Sequence, residues 1–299
     1  MHNANIEHWR KYAHLHFLIF IWGFTAVLGK LVHLDALNLT WYRLGTAVLA
    51  LWVWRRWNPS GRIYGKEDYL RFAANGVIIA LHWVAFFAAI KEGNVSSTLV
   101  AMSSGAFFTS LLEPLWFRRR VDYREIMLGL GILVGIGYLF GISHIRLTAL
   151  LLALAAAWLS AVFSVWNGLL IRRYPAADLS FYELLSGWVF LALVLLWNGG
   201  WVPPAMVLPS DWLWIAILGI ICTAYTFTVS LDLLRYIHPF TLMLSINMEP
   251  VYGIILALLV FGDSERMTAG FYTGTIIILG IIALNAWMKM KKGHAPKNN

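Results

Sequence analysis

The residue best placed to do chemistry in this sequence is Glu249. It lies about ten residues into the apolar run Pro239–Phe261, with Asn247 just before it and Pro250 just after. A carboxylate near the centre of a bilayer costs roughly 2.5–3.5 kcal/mol on insertion scales, and an ionisable residue at that depth is functional by default. Pro250 lacks an amide donor and displaces the carbonyl four residues earlier, that of Ile246. The expected result is a polar break at mid-depth, where a substrate or a coupling ion can bind. The alternative is a neutral glutamic acid hydrogen-bonded to a neighbouring helix for packing alone. Arg43 also lies inside an apolar run. Either it faces a cavity and holds a carboxylate or phosphate with its planar fork, or its long side chain snorkels to the nearby membrane face. His82 sits mid-run beside Trp83, with Asn75 two turns earlier. A lone histidine is ordinarily a satisfied packing residue, and no second His or Cys stands at metal spacing. Trp22, Trp83, Trp158, Trp166 and Trp188 lie away from the run ends. With Tyr182, Tyr225 and Tyr252 they could line a cavity for an aromatic or cationic solute, because cation–π attraction gains from desolvation. Glu249 would supply a counter-charge and Arg43 would take a carboxylate, a combination that suits a zwitterion.

Other chemistries find no support. There is no Walker motif, no HExxH and no acid–base pair at a common depth. The single cysteine, Cys222, permits no disulfide within the chain and no CxxC site. No metal or cofactor is expected.

The elements that must position these residues are membrane helices. Of 299 residues, 60% are hydrophobic and 13% charged, with mean hydropathy +0.69, whereas soluble domains run nearer half apolar and a quarter charged. Ten spans of about 20 residues would leave roughly 100 for connections and tails, too few for a soluble catalytic domain. Secreted, nucleic-acid-binding and disordered classes are excluded. The net charge of +8 sits in short runs between apolar stretches, where it sets membrane orientation. The N-terminal run ends at Lys30 without a small-residue cleavage site and reads as a retained first helix.

Ten runs are predicted to span. They are Leu15–Val32, Leu39–Trp54, Tyr69–Ile90, Ser96–Phe117, Ile126–Ile142, Leu147–Ile171, Ser180–Trp197, Trp212–Leu234, Pro239–Phe261 and Thr268–Met288. With a cytoplasmic N-terminus, 18 of the 23 Lys and Arg fall on inner segments and four on outer ones, Arg43 being the remainder. This is a strong positive-inside bias and predicts both termini inside. The Arg118–Arg120 run is read as an orientation determinant that can touch anionic lipid. Ten of the sixteen tryptophans fall at run ends, where headgroup anchors belong. Asp232 with Arg235, Lys91 with Glu92, and Asp263 through Arg266 read as solvated or locally paired charges.

The chain also repeats itself. Asn38-Leu39-Thr40-Trp41-Tyr42-Arg43-Leu44 returns as Asp178-Leu179-Ser180-Phe181-Tyr182-Glu183-Leu184 at an offset of 140, and Gly129 and Gly135 return as Gly274 and Gly280 at 145. Five spans per half is an odd number, so the second copy must enter the membrane from the opposite side. The expected organisation is a first five-helix repeat over residues 14–142, a second over 147–288 and a basic cytoplasmic tail over 289–299. Glu183 is read as complementing the start of its helix, Ser103 and Ser104 as close-packing residues, and the Gly131/Gly135, Gly137/Gly141 and Gly270/Gly274 pairs as helix contacts.

Asn247-Met248-Glu249-Pro250-Val251-Tyr252-Gly253 followed by Phe261-Gly262-Asp263-Ser264-Glu265 resembles the signature of EamA-type transporters of the drug/metabolite superfamily. Phe20-Ile21-Trp22-Gly23-Phe24-Thr25 and Trp41-Tyr42-Arg43 resemble that family's first two helices. The resemblance covers nearly the whole chain. It implies an all-α polytopic carrier of ten helices in a 5+5 inverted repeat, exporting amino acids or other small metabolites, with cationic amines, sugar phosphates and nucleotide sugars as alternatives. One departure stands out: the position aligned with Pro250 in the first half is Gly105, and Glu113-Pro114 lies eight to nine residues beyond it. The expected function is a secondary carrier of the bacterial inner membrane working by alternating access, complete as a monomer although a dimer is open to it. Its partners are a small-molecule substrate, lipid and coupled protons, and no nucleic acid. The rival classes are a polytopic membrane enzyme and a channel.

Overall fold

A computed structural model describes residues 2–118, 123–142 and 145–293. Arg119, Arg120 and the tail beyond residue 293, with Lys297, lie outside the described residues. The described residues are mostly helical, and no strand occurs among them. Each expected span coincides with a helix or a run of joined helices. In chain order these are α1 (His2–Leu31), α2 (Ala36–Trp57), α3 (Lys66–Glu92), α4 (Val95–Met102), α5 (Gly105–Phe117), α6 (Tyr123–Ile142) and α7 (Leu147–Leu170). They continue as α8 (Ala176–Asn198), α9 (Pro209–Ala216), a π-helix (Ile217–Tyr225), α10 (Thr226–Leu233), α11 (Pro239–Ile246), α12 (Glu249–Phe261) and α13 (Ala269–Gly293). By length and composition seven stretches are long and apolar enough to cross a membrane, and Gly129–Ile142 and Ala269–Ile281 are shorter apolar helices.

The helix contacts of the two halves match in pairs. α3 lies against α7 and α8, and α2 against the π-helix and α8; α1 packs on α12 as α5 packs on α7; α6 pairs with α13. The equivalence reaches individual side chains. Asn38 and Tyr42, opening α2, hold the loop before α9: Asn38 bonds Gly200 O and Val202 N (2.8 and 3.0 Å), and the Tyr42 hydroxyl donates to Val202 O (2.7 Å). Their mates Asp178 and Tyr182, opening α8, hold the loop before α3. Tyr64 donates to Asp178 (2.5 Å), which also pairs with Arg55 (2.9 Å), while Tyr182 stacks on Phe72. Burial first, and Asp178 second, push the Tyr64 phenol above its usual range, so it remains a donor at neutral pH.

Close backbone approach marks the symmetric crossings. A Cβ on Gly76 of α3 would stand 2.2 Å from the Glu183 carbonyl, and one on Gly219 of the π-helix 2.9 Å from the Arg43 carbonyl. Only glycine permits these approaches. Among the predicted glycine pairs, Gly135 meets Ile278, Gly270 meets Ile142 and Gly274 meets Leu139, whereas Gly131, Gly137 and Gly141 have nothing within 4 Å. Those three are not helix contacts, a correction to the pattern reading.

The fourth and ninth expected spans are both broken, at equivalent positions. α4 ends in i→i+3 turns, Ser103 N to Val100 O and Ser104 N to Ala101 O (both 3.1 Å), before α5 begins at Gly105. α11 ends likewise, Asn247 N to Leu244 O (3.3 Å) and Met248 N to Ser245 O (3.0 Å), before α12 begins at Glu249. Pro250 falls in the first turn of α12, where a missing amide costs nothing. Ser104 bonds back to Ala101 O (2.7 Å), as a packing serine does.

Carboxylates from opposite halves cap the outer ends of these broken helices. Glu265, fully buried, accepts from Val95 N, Ser96 N and Ser96 Oγ at 3.0–3.1 Å at the start of α4, and from Lys30 Nζ at 2.6 Å. At the other end of the molecule, Glu113 of α5 accepts from Phe240 N (2.8 Å) at the start of α11. Both place negative charge on the positive end of a helix dipole. Glu265 is therefore no solvated charge, although its neighbours Asp263 and Arg266 do pair locally (3.1 Å), as do Asp232 and Arg235. Lys91 donates to Val32 O (3.0 Å) and Glu92 pairs with Arg146 (3.0 Å), so those two are not paired with each other.

Candidate functional site

The two breaks flank a central cavity. Met102 ends α4 at its wall, and Ile246 and Glu249 line it from either side of the second break. α1 contributes Trp22 and Thr25, α2 Arg43, α3 His82, Trp83 and Phe86, α7 Ser160, Phe163, Ser164 and Asn167, and the π-helix and α10 Cys222, Phe227 and Ser230. The free space is about 90 Å³, room for a few waters or a small solute group and well below the roughly 300–1,000 Å³ of drug-sized sites.

Arg43 is 1% exposed and does not snorkel. Its Nε donates to Thr223 Oγ1 (2.6 Å), its Nη2 to Cys222 O (3.4 Å), and the guanidinium lies over Trp83, 4.3 Å from the ring centroid. Nη1 is buried with no partner among the described residues. The π-helix explains the acceptors. Its wider turns bond each amide five residues back, Thr223 Oγ1 donates to Leu218 O (2.6 Å), and Thr226 and Arg43 share the Cys222 carbonyl. Trp22 Nε1 donates to Thr226 Oγ1 (2.9 Å), tying α1 to the same segment.

Glu249 begins α12, so its carboxylate sits at the positive end of that helix. No hydrogen-bond donor is paired with it among the described residues. His82 Nδ1 meets Ala156 O at 2.8 Å, and since a carbonyl only accepts, Nδ1 is the donor.

Five of the expected site residues thus share the cavity: Glu249, Arg43, Trp22, His82 and Trp83. The others lie elsewhere. Asn247 is buried at the break with Nδ2 unpartnered, off the cavity wall. Trp158 is 47% exposed on the outside of the bundle. Tyr182 belongs to an aromatic cluster with Tyr64, Tyr69 and Phe72, and Tyr252 packs on Phe20 and against Gly23. Tyr225 is 40% exposed and bonds His14 (2.8 Å). Trp166 and Trp188 pack against the core, Trp188 stacking on Trp41.

One polar cluster went unread in the sequence. Glu183, fully buried two turns into α8, accepts from Asn75 Nδ2 (2.8 Å) and Asn167 Nδ2 (3.2 Å), and Asn75 Nδ2 also reaches Asn167 Oδ1 (3.0 Å). Asn167 is shared between this cluster and the cavity wall.

Long apolar helices enclosing a largely apolar cavity that carries Arg43 and Glu249 define a polytopic α-helical membrane protein. The model of the EamA-like transporter family matches the chain twice, over residues 13–141 and 147–287. The chain belongs to this family and is a membrane transporter. It is similar to an uncharacterized transporter of Pseudomonas aeruginosa, 23% identical over 92% of this chain and 94% of that one. A solved crystal structure of a protein, 16% identical, superposes with TM-score 0.66 over 90% of this chain and 95% of that chain, which shows a shared fold.

Proposed function

We propose that the protein is a secondary carrier that exports a small zwitterionic metabolite, an amino acid or a close relative, by alternating access across the bacterial inner membrane. The observation that carries this is the pairing of two incompletely bonded charges on one small cavity: among the described residues Arg43 Nη1 has no partner, and no hydrogen bond reaches Glu249. A carboxylate on the first and an ammonium on the second would complete both, with Trp22 and Trp83 shielding the contacts from water. The distribution of Lys and Arg supports both termini in the cytoplasm. In that frame Lys30–Glu265 closes the outer end and Glu113 caps α11 at the inner end. A monomer contains the whole cavity, and the surroundings are lipid, with no nucleic acid involved.

The test is uptake of a labelled amino-acid panel into liposomes holding the purified protein. Saturable flux in wild type should fall about 10–100-fold in both Glu249→Gln and Arg43→Gln, the equivalent of losing one charge-assisted hydrogen bond each. Unchanged flux in both variants would overturn the zwitterion site. A cationic amine is the second reading, favoured by the aromatic wall around Glu249. It predicts that Arg43→Gln spares flux while Glu249→Gln abolishes it. Sugar phosphates and nucleotide sugars fit less well, because a single guanidinium and about 90 Å³ of space meet little of their charge and bulk. A channel or a membrane enzyme would show non-saturable flux or chemical turnover of the panel.

A further inference from the structure

Glu183 is a carboxylate with no exposed surface, inside a helix that is long and apolar enough to cross a membrane. Packing alone would be served more cheaply by a glutamine or an apolar residue. No cation pairs with it among the described residues. The ionisable groups on the elements around it are engaged: Arg71 of α3 with Glu67 and Asp68, Arg55 of α2 with Asp178 of α8, Arg235 beyond α10 with Asp232. Tyr182, its neighbour on α8, is stacked on Phe72, while His82 and Arg43 bond Ala156 O and Thr223. Among the described residues, only the two asparagines hydrogen-bond the carboxylate.

Their geometry has two complementary states. As it stands, both amide N–H groups donate to Glu183, the arrangement an ionised carboxylate requires. Asn75 Oδ1 is left buried without a partner. A protonated Glu183 needs an acceptor for its O–H, and rotation of the Asn75 amide turns that orphaned oxygen toward it. An unsatisfied buried oxygen costs about 1–3 kcal/mol, a cost that protonation of Glu183 would relieve, while the turn gives up the Asn75 N–H bond to Asn167 Oδ1. Asn167 connects it to the cavity, giving the proton a way out to cavity water.

We infer that Glu183, with Asn75 and Asn167, is a proton-binding site of the transport cycle, and that it, rather than Glu249, carries the coupled proton. The step is a simple exchange: the Glu183 O–H bond breaks, the proton passes to water in the cavity, and the Asn75 amide turns from acceptor to donor. This rests on the carrier reading above and separates two carboxylates inside the helical bundle, Glu249 for substrate and Glu183 for the proton.

The experiment has two arms on the purified full-length protein in lipid. Infrared difference spectra between mildly acidic and alkaline buffer should show a carboxylic-acid C=O band that disappears in Glu183→Gln and persists in Glu249→Gln. Asn75→Ala, which leaves the carboxylate in place but removes its alternate acceptor, should move the midpoint of that band by about one pH unit, a tenfold change in proton affinity. In liposomes loaded with labelled amino acid, Glu183→Gln should keep substrate-for-substrate exchange and lose accumulation driven by a proton gradient by about tenfold or more. A purely structural Glu183 would lower both modes together. A band that survives Glu183→Gln, or gradient-driven accumulation that survives it, overturns the inference. Should Glu183→Gln fail to fold, the Asn75→Ala midpoint decides, and no shift counts against the proposal. Wild-type protein that moves none of the panel would sink the amino-acid reading alone, while the infrared arm still decides whether Glu183 binds the proton.

Discussion

At the scale of single residues the molecule is organised around a pair of opposite charges at equivalent places. Arg43 and Glu183 are repeat mates, each beside a glycine-enabled crossing, yet one is cationic and stacked on Trp83 while the other is acidic and held by two amides. Exchanging the guanidinium for an ammonium removes the Nε donor to Thr223 and the planar stack while keeping the charge. Arg43→Lys should therefore fail to restore the flux lost in Arg43→Gln, a result read from initial uptake rates; full restoration would reduce Arg43 to a point charge. Glu249 and Arg43 were legible in the sequence because each is an ionisable group stranded in an apolar run. Glu183 was not. Counting the span from Ser180 made it a residue of the first turn, whereas α8 begins at Ala176 and carries it inward. Asn167 stands near the end of α7, and nothing on its own helix advertises the partners that arrive from α3 and α8.

Among the elements, the broken helices are the features that place functional groups at depth. Each expected run coincides with a helix or a run of joined helices, but only the second break had a signal, Pro250. The first has none, since Ser103-Ser104-Gly105 is compatible with an unbroken helix. Because both breaks form with the same i→i+3 turns, the proline is not their cause; packing of the two halves imposes them. Pro250→Ala should accordingly leave the thermal midpoint within a few degrees of wild type, about 1 kcal/mol either way, with flux retained. A large loss of stability would assign the break to the proline after all. Gly76→Ala should behave oppositely. Its Cβ would meet backbone at 2.2 Å, with no flexible side chain to yield, and a cost of about 3 kcal/mol is expected, visible as a drop of several degrees in a thermal-shift scan. The π-helix was equally illegible: its apolar pattern reads as one continuous span, and only the tertiary bond from Arg43 reveals what the widened turn is for.

For the whole molecule, the cross-half caps are the joints. Glu265 satisfies three donors at the start of α4 and Glu113 does the same service for α11, each from the other half. Glu265→Gln keeps the shape but withdraws the charge and one acceptor. Stability should fall by about 2–3 kcal/mol, measured as a lower thermal midpoint in detergent; an unchanged midpoint would show that water serves α4 as well. Because these joints need no peptide link between halves, residues 1–144 and 145–299 expressed as separate chains should co-purify in proportion, whereas Glu265→Gln should weaken that recovery.

Those joints also set the order in which the protein can be completed during its synthesis. The amides of Val95 and Ser96 await Glu265, about 170 residues later in the chain. At ribosomal rates of roughly 5–20 residues per second, that is a delay on the order of ten to thirty seconds. Throughout that interval the first half lies in the bilayer with the start of α4 uncapped. A chain terminated before Glu265 would keep that exposed backbone permanently, marking an unfinished molecule for quality-control proteases.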